Sequence, residues 1–359
     1  MQKLLATTAI VLATGIPFST HHAMALCIPD NPADGAVVTC SGNDTNGFDF
    51  GNADSITLNI ESGASVTDAP GGNDAVRLGT DARINVQSGG TIHSAGDDAV
   101  QAEDGLIIIS GGSIIGGDEG INAENNAAVA NSGTITSEDD AVKVGMDSTI
   151  INLGLIENVG TDTANPEDAI DIDSGQIVNL PTGVIRSTLD AAIDFDEGSG
   201  DGDITNRGNI TGTIGILTDQ DNTGRQTVVN TGLIEGTSGV SVDLGKGKDS
   251  VRLDDKGRFV GDILLGAGRD VFILGSGSFG DMTGDFVANG GAGVNDTLDL
   301  STYSAFDDRR VSLSSPNTFD ISLASSDSDA TIRFTQFEFF AFREITIPLS
   351  ELMRPRPRQ

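Results

Sequence analysis

The stretch NSGTITSEDDAVKVGMDSTIINLGLI, residues 131–156, decides the fold. An Asn-x-Gly-x-Ile motif runs from Asn131 to Ile135, a small residue precedes Val at Ala141-Val142, and the first motif returns from Asn152 to Ile156, 21 residues on. Apolar residues alternate over short runs, as at Val142 and Val144 or at Ile56, Leu58 and Ile60. Alternation of that kind is a strand signal, and no stretch of 30–300 sustains the 3.6-residue period of a helix.

Outward from there, the small-aliphatic pair recurs at Ala75-Val76, Ala99-Val100, Gly120-Ile121, Ala169-Ile170, Ala192-Ile193, Gly215-Ile216 and Gly239-Val240, at spacings of 21 to 28 residues. The Asn motif recurs from Asn206 to Ile210 and Asn230 to Ile234, with looser copies from Ser88 to Ile92, Ser110 to Ile114 and Asn179 to Ile185. Such a period marks a stack whose coils cannot bury their own apolar faces and lean on their neighbours. Short strands with Gly, Asn and Asp at the corners make the chain all-β, a parallel β-helix of roughly ten coils and on the order of 50 Å long. Stacking turns each landmark into a ladder along the rod. Asn side chains at a tight corner bond to the backbone and to the Asn of the next coil. The Gly two residues later is expected at positive φ. Both landmarks are thereby scaffold.

Composition agrees with a thin aliphatic core: 47 Gly, no Trp and one Tyr among 359 residues. The 53 acids against 20 bases give a net charge of −33, which keeps a repetitive β protein soluble and blunts edge pairing. Nucleic acids and anionic membranes are excluded as partners, being polyanions themselves. A divalent cation, a basic protein, an extracellular surface or a polysaccharide suits this balance.

Residues 1–25 read as a signal peptide: Lys3, then an apolar run from Leu4 to Phe18, then Ala23-Met24-Ala25 as the cleavage site. Export is expected, and no later segment is apolar for the 18 or more residues of a membrane helix. Leu26 stands where a lipoprotein signal needs a small residue, so no lipid anchor is expected on Cys27. Cys27 and Cys40 are the only two cysteines, and an oxidising compartment pairs them in a disulfide that pins a lid over the first coil. The expected organisation is a cap at 26–50, the β-helix at 51–300, a Phe-rich C-terminal β cap at 301–347 and a disordered basic tail at 348–359. Seven Phe, at 306, 319, 334, 337, 339, 340 and 342, serve there as a cover for the last coil or as a partner interface.

From residue 244 Gly-Asp motifs appear, at Gly245 to Val251 and Gly266 to Phe272, with a longer version from Gly290 to Leu298. Calcium β-rolls carry such motifs in unbroken tandem, whereas these recur at the coil period with Lys248 and Arg269 beside Asp249 and Asp270. Leu265-Gly266-Ala267-Gly268-Arg269-Asp270, the Asn-x-Gly-x-Ile coils, the Cys pair and Asp296-Thr297-Leu298-Asp299-Leu300-Ser301 together make residues 26–345 resemble the passenger regions of bacterial autotransporters. The resemblance implies a right-handed parallel β-helix of a Gram-negative bacterium, displayed at the surface or released, often in adhesion and only sometimes as an enzyme. Family members continue into a translocating β-barrel, where this sequence ends at Gln359. The expectation is therefore another export route, a truncated copy, or a periplasmic or freely secreted β-helix.

Acidic residues stand just before the small-aliphatic pairs: Asn73-Asp74, Asp97-Asp98, Asp118-Glu119, Asp139-Asp140, Glu167-Asp168 and Asp190. Stacked, they form a rail with neighbours about 5 Å apart, each pair repelling by roughly 1 kcal/mol in water and about 3 at an effective dielectric of 20. Solvent, backbone N–H groups or bound calcium would offset this. The calcium reading assigns Asp98, Glu119, Asp140, Asp168, Asp249, Asp270 and Asp296 as ligands. The catalytic alternative is a polysaccharide lyase or hydrolase working at Asp97, Asp98, Asp139 and Asp140. Against it, Tyr303 and His93 are the only groups for an aromatic platform or an imidazole once the signal peptide is removed. A binding and adhesion module is the favoured expectation, with no nucleophile-His-acid set to suggest otherwise.

Overall fold

A computed structural model describes residues 27–68, 72–196, 198, 200–254, 256–275, 286–302, 309–315, 318–324, 329–343 and 345–352. Residues 1–25, expected to be a signal peptide, and Tyr303 and Phe306 lie outside the described residues. The chain is a parallel β-solenoid of about ten turns with almost no helix. In the middle of the rod each coil contributes three short strands. Strand Ala128–Asn131 stacks in the first sheet, and Thr134–Ser137 and Val142–Val144 stack in the second. From Asn209–Thr218 and Leu233–Asp243 onward the last two strands of a coil merge into one bent strand.

Register follows the aliphatic pattern. Leu58, Ile84, Ile108, Val129, Ile150, Ile177, Ile204, Val228, Val251, Phe272, Leu298 and Phe340 occupy one column, all buried. Burying one such side chain contributes about 1.5–3 kcal/mol. The small-aliphatic pair forms a second column: Val76, Val100, Ile121, Val142, Ile170, Ile193 and Ile216. Its next member is Val242 and not the expected Val240, because Ile216 pairs with Val242 across an irregular step. Ser241 is thus the small residue there. One coil earlier Gly215 lacks the Cβ that the Ser241 carbonyl would meet, and the buried Ser241 hydroxyl donates to the Gly261 and Asp262 carbonyls.

The Asn column is present, with Asn131, Asn152, Asn179, Asn206 and Asn230 fully buried. Each Nδ2 donates to the next Oδ1 at 2.9–3.1 Å. In the earlier coil Val86, not Ser88, holds this position. The glycine two residues on is not there for positive φ. Gly154 has an ordinary φ, and a Cβ on it would overlap the Gly133 carbonyl of the coil before, so close stacking is what demands glycine.

Boundaries move at both ends. Val37–Cys40, Asn43–Asp44 and Phe48–Phe50 already pair in parallel with strands of later coils, so the solenoid starts at Val37 rather than at 51. Only Cys27–Ile28 is added antiparallel, held by the Cys27–Cys40 disulfide. At the other end Phe334, Phe337 and Phe340 are fully buried, with the Phe272 and Phe334 rings 5.8 Å apart and Phe334 and Phe337 6.1 Å apart. These rings close the core as a cap. The tail expected to be disordered from 348 is ordered as far as 352: Thr346–Pro348 pairs antiparallel with Phe339–Phe342, and Leu349–Leu352 adds one helical turn.

Candidate functional site: an acidic corner

The acidic pairs fall in the corner between the second and third strands of a coil, where the backbone must turn without a ladder partner for every N–H. Register divides them into two columns. Asp74, Asp98, Glu119, Asp140 and Asp168 stand two residues before the buried aliphatic, and Asp97, Asp118, Asp139, Glu167 and Asp190 stand one residue further out. The inner column reaches under the corner. Asp98 Oδ1 accepts the Glu119 N–H at 3.2 Å, and Asp140 Oδ1 accepts the Asp168 N–H at 2.9 Å. Asp98 is 3% exposed and Asp140 1%, while Asp118 is exposed.

Carboxylate oxygens converge within 4.8 Å in three groups: Asp74, Asp97 and Asp98; Asp98, Asp118 and Glu119; and Asp139, Asp140 and Glu167. These sets of oxygens suit a hard divalent cation. The structure therefore gathers the candidates Asp97, Asp98, Glu119, Asp139 and Asp140 at one corner. Asp168 is in the same column but in none of the three groups.

Burial without enough positive charge moves these carboxyls up. Burial and the neighbouring Asp97 raise Asp74 to about 6, and burial raises Asp98. Burial and the Asp98 carboxyl raise Glu119 to about 8; burial and Asp139 raise Asp118 to about 6 and Glu167 to about 7. Asp168 is pushed to about 9 by burial and then by Asp194 and Asp140. Asp140 rises only to about 6, because Lys143 opposes its burial.

Lys143 is a cation set against this rail. It is the outward residue of Val142–Val144, and its Nζ bonds Asp140 Oδ2 at 3.0 Å and Asp171 Oδ2 at 2.6 Å. Burial alone would lower it; the two carboxylates outweigh that and hold it above its ordinary value. Asp171 and Asp194 follow Lys143 in register, and burial lifts Asp194 to about 7. Sequence reasoning missed Asp171, Asp173, Asp194 and Asp196. Their signal is a constant offset: one and three residues after the buried aliphatic, as Lys143 and Gly145 follow Val142. Beside Lys143 lies a groove of about 260 Å³, lined by Asn122, Glu124, Asn125, Asp171, Asp173 and Asp196 among others, with no aromatic ring.

Asp249, Asp270 and Asp296 form a separate column at another corner. Asp249 Oδ1 accepts the Gln226 N–H, Asp270 Oδ1 that of Asp249, and Asp296 Oδ1 that of Asp270, at 2.7–2.9 Å. All three are buried, with Oδ2 unpartnered, and burial raises Asp249 to about 8 and Asp270 to about 7. Glu338 ends the column by accepting the Asp296 N–H. The Gly-x-Asp motif here fastens one coil to the next, and among the described residues it joins no group of three carboxylates. No protein-family model matches this chain, and no curated protein or solved structure is similar to it.

Proposed function

We propose that this chain is an exported, cell-surface or extracellular binding module of the autotransporter-passenger type, and that its acidic corner docks a basic partner. One observation carries this reading: carboxyls stacked coil over coil are raised toward and beyond neutrality, with Lys143 pairing only Asp140 and Asp171. A surface in that state gains by taking up positive charge, whether as protons, ions or basic side chains. Each neighbouring pair costs roughly 1 to 3 kcal/mol at about 5 Å until it is neutralised. The ring-free lining of the groove supports binding over cleavage of a polysaccharide.

The test uses hexalysine and three residues of the outer column, Asp97, Asp118 and Asp139, rather than the inner Asp98 and Asp140 whose carboxylates hold backbone N–H groups. The unaltered chain binds the peptide with an affinity that falls steeply with salt, and Asp97→Asn with Asp118→Asn and Asp139→Asn weakens it at least about tenfold. Equal binding by the triple variant would sink the proposal.

A second reading is favoured by the three groups of converging oxygens: calcium bound along the rail at Asp98, Glu119 and Asp140. Calcium then raises the melting temperature at pH 8, and a chelator reverses it. Unchanged melting in both conditions disposes of this second reading while leaving the first standing.

A further inference from the structure

Beyond each third strand of the second sheet runs another column, in the order Glu124, Gly145, Asp173 and Asp196. The residues before them pair as Ala123 with Val144, Val144 with Ile172 and Ile172 with Phe195. The column continues to Asp219, whose N–H donates to the Phe195 carbonyl at 2.9 Å as that of Asp196 does to Ile172 at 3.2 Å. It is acidic at every one of these positions but one. Gly145 carries no carboxyl, and it lines the groove together with Glu124, Asp173 and Asp196.

Hydrogen bonds fix one wall of the groove. Asn125 Oδ1 accepts the Met146 N–H at 3.0 Å, and its Nδ2 donates to Asp104 Oδ1 at 3.1 Å. A Cβ on residue 145 would come within 2.8 Å of Asn125 Oδ1 and 3.2 Å of the Glu124 carbonyl carbon, so the seated amide fills the place of a side chain and requires glycine there. Ala123 and Val144 border the groove from the core, in which both side chains are buried. Lys143, its one cation, is already engaged by Asp140 and Asp171. Glu124, Asp173 and Asp196 take part in no ion pair among the described residues.

Building on the reading of the acidic corner as a docking face, we propose that this groove is a socket for one arginine side chain of a protein partner. Its volume of about 260 Å³ is below the 300–1,000 Å³ usual for whole small ligands and suits the end of a single side chain. These three carboxylates are spread along the column and form none of the tight oxygen groups seen at the corner, which disfavours a metal ion. A guanidinium is broad and planar, carries five donors, and pairs with carboxylates on two coils. An ammonium presents a compact charge and reaches fewer of them. Without an aromatic ring in the lining, a sugar has no stacking platform.

The experiment compares hexa-arginine with hexalysine on the full chain. The unaltered protein binds hexa-arginine about tenfold more tightly, the order expected for bidentate over point-charge pairing. Asp173→Asn with Asp196→Asn abolishes that preference. Asp97→Asn with Asp118→Asn weakens both peptides alike and preserves it. As a check that does not depend on a variant folding, the Gly145 and Asn125 amide resonances of the unaltered chain shift with hexa-arginine and much less with hexalysine. Equal affinities, or a preference that survives in the Asp173/Asp196 variant, overturn the socket and leave the docking face intact. Binding of neither peptide overturns both.

Discussion

Two polar columns run along the same rod and behave in opposite ways. In the Asn column every residue carries a donor and an acceptor, so Asn152 receives a bond from Asn131, gives one to Asn179 and also holds the Gly154 N–H and the Val184 carbonyl. In the acidic corner each carboxylate is an acceptor only. Asp98 and Asp140 each use one oxygen on the backbone; Asp140 gives its other to Lys143, while Asp98 lies among carboxylates on both sides. Stacking makes the amide self-complementary and the carboxylate self-repelling. The Asp249, Asp270 and Asp296 column shows that one carboxylate per coil can fasten backbone, so what sets the acidic corner apart is the convergence of several carboxylates at one place.

The largest expected effect is a dependence of stability on pH that has the sign opposite to ordinary acid denaturation. Folded-state values of about 6 to 9, against ordinary values near 4, mean that the folded chain keeps protons the unfolded chain has lost. Their contribution is complete below the unfolded values and is lost as pH rises through the folded ones, at about 1.4 kcal/mol per pH unit for each group titrating only in the unfolded state. Melting temperature therefore falls from pH 5 to pH 9. A rise over that range would erase the contrast between the columns.

Next in size, Asn152→Asp puts the acidic corner's chemistry into the amide column. It sets two acceptors face to face at Asn179 and buries a charge, at a cost of about 3–5 kcal/mol in urea unfolding. A loss under about 1 kcal/mol would mean that the amide ladder carries little. Replacing Cys27 and Cys40 together by Ser removes a loop closure worth at most about 3 kcal/mol, and its cost is independent of pH from 5 to 8 because neither column is involved. A pH-dependent cost would show that the cap and the corner are coupled. Smallest is Asp118→Asn on the exposed outer column: a gain of about 0.2–1 kcal/mol at pH 8 and none at pH 5. A loss at pH 8 would give Asp118 a structural bond that the corner lacks.

The coil period, the Asn ladder and the rail are legible in the sequence because stacking converts a repeat into a column with no further information. What was not legible follows from the same geometry. Gly239-Val240 fits the small-aliphatic pattern, yet an irregular step puts Ser241 and Val242 in the column, and a pattern of two residues cannot sense that shift. The Gly-Asp motif resembles a cation site in sequence, whereas in three dimensions Asp249 and Asp270 each hold a backbone N–H of the coil before. Lys143 was visible as an outward residue beside Asp140. Its bond to Asp171 spans an insertion of several residues before Glu167.

The measurement that bears most directly on the unneutralised corner is proton exchange on unfolding at pH 6.5, obtained by calorimetry of thermal unfolding in buffers of different ionisation enthalpy. Carboxyls raised in the folded chain release protons when it melts, and adding calcium or hexalysine reduces that release. Uptake of protons on unfolding, or no exchange at all, would contradict the account.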